Sequence, residues 1–211
     1  MEKLSCFLCH APALYFSTHR GRDYLKCSGC QSVMLSPENY LSPAEEKERY
    51  DQHNNDVSDP GYRLFVQPLV RAVINKYYPE DSGLDYGAGS GPVASYLLKE
   101  RGYQTLLYDP FYWPDHSVLE ARYNYIICSE VIEHFHSPQN EFRLMRSLLL
   151  PGGSLFCMTE LYDDEFEFEK WYYKNDPTHV FFYHREAFQW IKKRFGFSEL
   201  TMKKRLITLS L

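Results

Sequence analysis

A chain of 211 residues, 44% hydrophobic and 17% aromatic, is long enough for one full α/β domain plus a small appendage and apolar enough to bury a sizeable core. Its net charge of −5 gives no global electrostatic case for nucleic acid. Its apolar runs fall short of the ~18 residues of a membrane span, and the opening Met1-Glu2-Lys3-Leu4-Ser5-Cys6 has no apolar secretory stretch, so no membrane partner and a reducing cytoplasm are expected.

In chain order, the first elements are two knuckles, Cys6-Phe7-Leu8-Cys9 and Cys27-Ser28-Gly29-Cys30, with 17 residues between them. Paired C-x-x-C turns at this spacing are the pattern of a tetrahedral four-cysteine zinc site. A segment of about 35 residues buries little core, so the metal would supply its folding energy. Tyr24-Leu25-Lys26 and Val33-Met34-Leu35 read as ribbon strands, and residues 1–36 as a zinc ribbon. Two disulfides or a redox pair are the alternatives. The missing secretion signal disfavours the first, and the absence of a βαβ context disfavours the second. His10 is surplus to a four-cysteine set. Cys128 and Cys157, in apolar runs, read as inert buried thiols.

Ser42-Pro43-Ala44-Glu45 is a capping box with proline at the first helical position, which predicts a helix to about Tyr50. Residues 51–61 are polar and turn-rich, a linker or mobile cover. From Tyr62 to Tyr78 apolar residues recur at 62, 65, 66, 69, 70, 73, 74 and 77, a helical period that Pro68 should start or kink. Further strands are predicted at 83–86, 104–108, 123–128, 153–159, 197–203 and 206–210, and helices at 92–101, 138–149 and 184–195.

The stretch Gly83-Leu84-Asp85-Tyr86-Gly87-Ala88-Gly89-Ser90-Gly91-Pro92 reads as a buried strand end, a glycine-rich turn and a helix start. Glycine lets backbone approach a ligand closely, and the helix start favours a negative group. A dinucleotide fingerprint would need its third glycine at position 92, which is proline. Asp85 precedes the first glycine of the turn by two residues, and Asp109 follows it by 22.

With both acids in place, the stretch resembles motif I and the second acidic residue of class I methyltransferases that use S-adenosylmethionine (SAM). The resemblance spans about residues 60–211 and implies a Rossmann-like α/β sheet. It implies a SAM site built from Asp85, Tyr86, Gly87, Ala88, Gly89, Gly91, Pro110, Phe111 and Ser129, with Asp109 accepting hydrogen bonds from the ribose hydroxyls. Only 13 residues, 110–122, precede the next clear strand, so the third of the family's seven strands is predicted missing or vestigial. The adenine would then rest on Phe111, Tyr112 and Trp113. Arg146 to Gly153 resembles the family's turn before its fifth strand. Residues 37–61 are assigned as a helical linker and cofactor cover, with Tyr50 and His53-Asn54-Asn55 resembling a covering segment. Residues 62–211 are assigned as the methyltransferase domain.

After the strand at 123–128 comes Ser129-Glu130-Val131-Ile132-Glu133-His134-Phe135. This E-x-x-E-H, with a later His179 ahead of Phe181-Phe182 and an R-x-x-F-x-x-W stretch, resembles small-RNA 2′-O-methyltransferases and polyprenyl-quinol O-methyltransferases. Their pattern implies Glu130, Glu133, His134 and His179 as ligands of Mg²⁺, Mn²⁺ or Fe²⁺ that would acidify an acceptor hydroxyl. Residues i, i+3 and i+4 share one helical face, so a single turn would present three of them. Without metal, His134 or His179 would act as general base, with Glu130 beside them. A plain helix start with packed side chains is the competing reading. Five acids in Asp163 to Glu169 read as a solvated face, and near a cleft they would repel a polyphosphate. Lys170 to Lys174 reads as a packed lid or an acceptor wall.

The expectation is an enzyme, a SAM-dependent methyltransferase acting on the hydroxyl of a small molecule. The alternatives are an RNA or protein acceptor docked by the ribbon, and a non-catalytic SAM-binding scaffold.

Overall fold

The computed structural model describes residues 4–52, 56–165 and 167–211. The chain opens with β1 (Leu4–Ser5), β2 (Pro12–His19), β3 (Arg22–Cys27) and β4 (Val33–Leu35), followed by α1 (Pro43–Asp51) and α2 (Pro60–Ile74). Then come β5 (Gly83–Tyr86), α3 (Val93–Lys99), β6 (Thr105–Tyr108), β7 (Tyr123–Ser129), α4 (Pro138–Ser147) and β8 (Leu149–Met158). β9 (Phe181–Phe182), α5 (Arg185–Phe195), β10 (Glu199–Lys203) and β11 (Leu206–Ser210) complete it.

The larger sheet runs β10-β11-β8-β7-β5-β6, mixed, with β6, β5, β7 and β8 parallel and β11 antiparallel to both its neighbours. Side chains alternate across it with the period of two that a strand imposes. Tyr125 and Ile127 pack with Val66, Val70 and Val73 of α2 and Leu97 of α3. Ile126 and Cys128 pack with Phe142 of α4 and Phe188 of α5 on the other face. Cys128 and Cys157 are both fully buried, as expected. Among the described residues no strand stands between β6 and β7 in the chain, as expected for the family's third strand. In its place Asp109 and Trp113 exchange backbone hydrogen bonds, and a short 3₁₀ turn covers His116–Leu119.

Several boundaries differ from the sequence reading. The helix expected from residue 62 begins at Pro60, because the Asp59 carboxylate accepts the amides of Gly61 and Tyr62. It passes through Pro68 without ending there; its buried stripe of Val66, Leu69, Val70 and Val73 offsets a proline cost of about 3 kcal/mol. The domain boundary at 61/62 therefore falls inside the first turn of α2. β8 starts at Leu149, before the Pro151-Gly152 turn, and the pairing with β7 steps from Tyr123–Leu149 to Tyr125–Ser154 across that turn. α1 carries the complete capping box: Ser42 accepts the Glu45 amide and Glu45 accepts the Ser42 amide.

The smaller sheet, β1-β2-β3-β4-β9, is antiparallel throughout. Its last strand comes from far downstream: Met34 pairs with Phe181 and Val33 with Phe182. One buried cluster runs from Cys6, Tyr24 and Leu35 to Phe142 and Tyr183, so the two sheets share a core. Among the described residues no helix is long and apolar enough to cross a membrane.

Candidate active site

In an open α/β sheet, a crevice opens where neighbouring connections leave in opposite directions. Here that point lies between β5 and β7, and a cavity of about 660 Å³ sits at the carboxyl ends of β5, β6 and β7. All ten residues read as cofactor contacts line it, from Asp85 to Ser129.

The glycine turn is built by backbone geometry. Gly87 (φ +84°) and Gly89 (φ +62°) are left-handed, and a Cβ on Gly87 would meet Val131 at 2.4 Å. The Gly87 and Ala88 amides donate to the Tyr108 carbonyl at 2.8 and 3.0 Å, tying the turn to β6. Asp109 extends that tie. Its Oδ2 accepts Gly89 N–H at 3.0 Å, and its Oδ1 accepts Phe111 N–H and Tyr112 N–H at 2.9 and 3.1 Å. Each carboxylate oxygen offers two lone pairs; Oδ1 uses both and Oδ2 uses one, so one acceptor position remains, on Oδ2. Asp85 is buried beneath the turn, with Ser95 Oγ donating to its Oδ2 at 2.6 Å. Burial pushes its carboxyl up to about 7, Asp109 adds to that, and the Ser95 bond opposes it. Tyr86 donates to Glu141 of α4 at 2.5 Å, and Ser129 Oγ is buried without a hydrogen-bond partner among the described residues.

At the other end, E-x-x-E-H does not form one α-helical turn. Glu130 is left-handed (φ +54°), and only Ile132–His134 is helical, as a 3₁₀ turn. Glu130 thereby swings to Arg205 of the β10–β11 turn, with which it is ion-paired, and its Oε2 lies 3.1 Å from Tyr173 Oη. Glu133 is fully buried and accepts hydroxyls on both oxygens, from Tyr173 and, at 3.0 Å, from Thr159. Burial pushes Glu133 up to about 7. Burial and then the Glu133 charge push Glu130 up to about 8, against the pull of Arg205.

The histidines are oriented by backbone. His134 Nδ1 lies 2.9 Å from the Thr178 carbonyl, and His179 Nδ1 lies 2.7 Å from the Tyr173 carbonyl. A carbonyl only accepts, so each Nδ1 carries hydrogen and the neutral ring keeps its lone pair on Nε2. The rings stand 4.8 Å apart at 74°. Ligand atoms of Glu133, His134 and His179 lie within 4.8 Å of one another; Glu130 is outside this group. Both histidines line the cavity, as does Glu130.

α1 closes the same cavity. Its Glu46 and Tyr50 line it, and Tyr50 meets His134 edge-on at 5.3 Å and Phe111 at 5.8 Å. His53, Asn54 and Asn55, read as part of the cover, lie outside the described residues. The acids of 163–169 face solvent where described, with Phe166 outside the described residues, whereas Trp171, Tyr173 and Lys174 pack inward. Arg205, Glu46, Glu141 and Thr159 belong to the site but no sequence motif flagged them.

A second constellation lies in the smaller sheet. The Sγ atoms of Cys6 and Cys30 are 3.7 Å apart and those of Cys9 and Cys27 3.4 Å, and all four fall within 4.8 Å of one another. A zinc ion bound at about 2.3 Å to four sulfurs would set their spacing near 3.8 Å; a disulfide would need about 2.05 Å. The amides of Gly29 and Cys30 point at Cys27 Sγ (3.3 and 3.4 Å), and the residues leaving the two knuckles, His10 and Gln31, share a left-handed φ of 61° and 60°.

The comparisons with known proteins agree with this geometry. A family model described as a methyltransferase domain matches residues 42–201. The chain belongs to that methyltransferase family. Curated protein sequences give no match. Among solved structures it resembles the 1,6-didemethyltoxoflavin-N1-methyltransferase of Burkholderia thailandensis, bound to 1,6-didemethyltoxoflavin and S-adenosylhomocysteine. That likeness has a TM-score of 0.55 and 14% identity, over 94% of this chain and 99% of that one. It also resembles an O-methyltransferase family protein of the same organism, with TM-score 0.53 and 11% identity over 78% of this chain and 61% of that one. A third is CalO1, a methyltransferase in calicheamicin biosynthesis in its S-adenosylhomocysteine-bound form, with TM-score 0.51 and 11% identity over 71% of this chain and 54% of that one. These likenesses establish the fold: that of SAM-dependent methyltransferases.

Proposed function

We propose that this methyltransferase binds SAM in the cavity between β5 and β7 and transfers its methyl group to the hydroxyl of a small molecule. The Gly87–Gly91 turn, with Tyr86, Ala88 and Ser129, takes the amino-acid end. Asp109 accepts the ribose at its remaining Oδ2 position, and Pro110 and Phe111 flank the base. Bound SAM supplies an electrophilic methyl on sulfur. The chain's own work is to place a hydroxyl in line with that methyl and to take its proton. His134 or His179 receives the proton at Nε2, because the Thr178 and Tyr173 carbonyls hold each Nδ1 in its protonated form. The observation that carries this reading is the pair of imidazoles so oriented at the cavity wall. The volume suits SAM with a small acceptor. The likeness of E-x-x-E-H to the O-methyltransferase patterns supports oxygen as the acceptor atom.

In the same reading Cys6, Cys9, Cys27 and Cys30 hold structural zinc in a ribbon of residues 1–36, which suits a reducing compartment such as the cytoplasm. Residues 37–61 form the helical linker and cover, and 62–211 the methyltransferase domain. A second reading has Glu133, His134 and His179 hold a divalent cation, Mg²⁺, Mn²⁺ or Fe²⁺, favoured by the closeness of their ligand atoms. Against it, both Glu133 oxygens already accept hydroxyls and Glu130 is engaged by Arg205. Metal analysis of the wild-type protein separates the two readings: the four cysteines alone hold one cation per chain, and a site at Glu133, His134 and His179 would add a second.

The test of the whole is calorimetric titration with SAM and transfer of labelled methyl into small-molecule, RNA and protein fractions of a cell extract. Asp109→Ala is expected to weaken SAM at least tenfold. His134→Ala is expected to cut transfer by about 10²–10⁴ while leaving SAM affinity within about twofold. Label appearing in RNA or protein would move the acceptor to the ribbon-docked alternative. SAM binding with no labelled fraction would leave a scaffold.

A further inference from the structure

The smaller sheet shares a strand with the loop that carries His179, and this gives the ribbon a task. Val180, the residue after His179, is clamped on both sides. Its N–H donates to the Glu133 carbonyl at 2.9 Å, and its carbonyl accepts the Leu35 N–H of β4 at 2.8 Å. Beyond it, Phe181 and Phe182 form β9 and extend the sheet along Met34 and Val33. Before it, Thr178 supplies the carbonyl that orients His134, and Tyr173 the carbonyl that orients His179. Both imidazoles thus take their ring orientation from the segment 173–180.

Other ribbon side chains hold the start of that segment. Arg22 Nη2 donates to the Lys174 carbonyl at 3.1 Å and His19 Nε2 lies 3.2 Å from Asn175 Oδ1; upstream of the segment, Tyr24 meets Phe168 edge-on at 5.0 Å. The glycine turn and Asp109, by contrast, are tied to β6 of the larger sheet and take none of these supports.

We propose that the ribbon is the frame that positions the two acceptor-side histidines, with β4 as the element that sets segment 178–182. This rests on the reading of the four cysteines as a zinc site and of the histidines as the acceptor side. β9 is only two residues long, and an isolated pairing of that size is not stable alone. Its partner β4 is three residues long and stands three residues after Cys30, so the metal knuckle anchors the template. The ribbon then acts on acceptor activation and not on SAM binding. Leu35, Met34 and Val33 are positioning residues, distant in sequence from the chemistry.

The test uses the full chain and three variants. Leu35→Pro deletes the one N–H that holds Val180. Leu35→Ala loses the same side chain but keeps that N–H. Cys30→Ser removes a metal ligand. The readouts are zinc content by mass spectrometry, SAM affinity by calorimetry, amide hydrogen exchange, and the hydrogen-bonded imidazole Nδ1–H signals in proton–nitrogen spectra. In Leu35→Pro and Cys30→Ser, exchange at Val180 and Phe181 should rise at least tenfold and the two imidazole signals should be lost. Ile126 and Ile127 of β7 should stay protected, and SAM affinity should hold within twofold. Leu35→Ala should keep the imidazole signals.

Zinc absent from the wild-type protein overturns the metal reading alone. Zinc present, with Val180 exchange and the imidazole signals unchanged in Leu35→Pro and Cys30→Ser, overturns the positioning role alone. Loss of the signals in Leu35→Ala as fully as in Leu35→Pro also overturns it, since side-chain packing and not the strand would then hold the segment. Simultaneous loss of β7 protection and SAM affinity at the assay temperature overturns it as well, because the ribbon would then act on both sides of the cavity alike.

Discussion

Asp85 sits where a charge is costly, fully enclosed between β5 and α3 with one hydroxyl donor, and burial lifts its carboxyl from 3.8 to about 7. The native state therefore favours the protonated acid. Below about pH 4 the group is neutral in both states and carries no penalty; from pH 4 to 7 the penalty grows, and above 7 it is constant. At 1.36 kcal/mol for each pH unit the ceiling is about 4 kcal/mol. Asp85→Asn keeps an acceptor for Ser95 and cannot ionise. Urea denaturation should show it gaining about 2–4 kcal/mol on the wild type between pH 4 and pH 8; a pH-independent difference would refute the account. Gly87→Ala should act oppositely, forcing a left-handed alanine into Val131, with a loss of at least 1–2 kcal/mol and at least tenfold weaker SAM binding in calorimetry. Asp85, Gly87 and Asp109 were legible in the sequence because a strand, a tight turn and a second strand fix their spacing within 25 residues. The left-handed Glu130 was not. It carries the side chain to Arg205, 75 residues away, and no local pattern announces such a partner.

Among the elements, those whose burial repeats with their own period were readable: the stripe of α2, the alternation of β7, the capping box of α1. The junctions were not. The chain from β7 to the 3₁₀ turn resembles a helix start by composition, yet it is shaped by the β10–β11 turn reaching over it. Arg205 is the contact: it pairs with Glu130 and Glu160 and lies 5.2 Å over the Tyr173 ring and 5.3 Å over Phe65 of α2. Its side chain and those of both acids are only 21–25% exposed, so removing the cation strands two largely enclosed carboxylates. Arg205→Ala should cost about 2–4 kcal/mol, read as a fall of several degrees in melting temperature. Glu130→Gln added to Arg205→Ala should recover a measurable part of that loss, because a neutral amide needs no counter-charge. A double variant no more stable than Arg205→Ala would show that the guanidinium acts by packing on the rings instead.

For the molecule as a whole, the decisive feature is that the smaller sheet is not an appendage. A sequence reading divides the chain near residue 36, since the knuckles, the capping box and the glycine turn are each local signals. β9 carries no such signal: two phenylalanines in a buried stretch look like any core residues until β4 is brought beside them. The result is one buried cluster shared by Cys6, Tyr24 and Leu35 of the N-terminal segment and Phe142, Tyr183 and Phe188 beside the larger sheet. Residues that share a core and a sheet lose their support together, whereas modules joined by a linker melt separately. With the four cysteines holding zinc, heating should therefore give a single transition, with a calorimetric enthalpy equal to the van't Hoff value. Cys6→Ser should shift that transition downward as a unit by about 5 °C or more, from the 2–4 °C that each lost kcal/mol costs a chain of this length. An early ribbon transition ahead of an unshifted main one would show two independent modules. The single transition follows from the packing: with Cys6, Tyr24 and Leu35 exposed, the larger sheet would keep its hydrogen bonds but leave Phe181, Phe182 and Tyr183 without the surface that covers them.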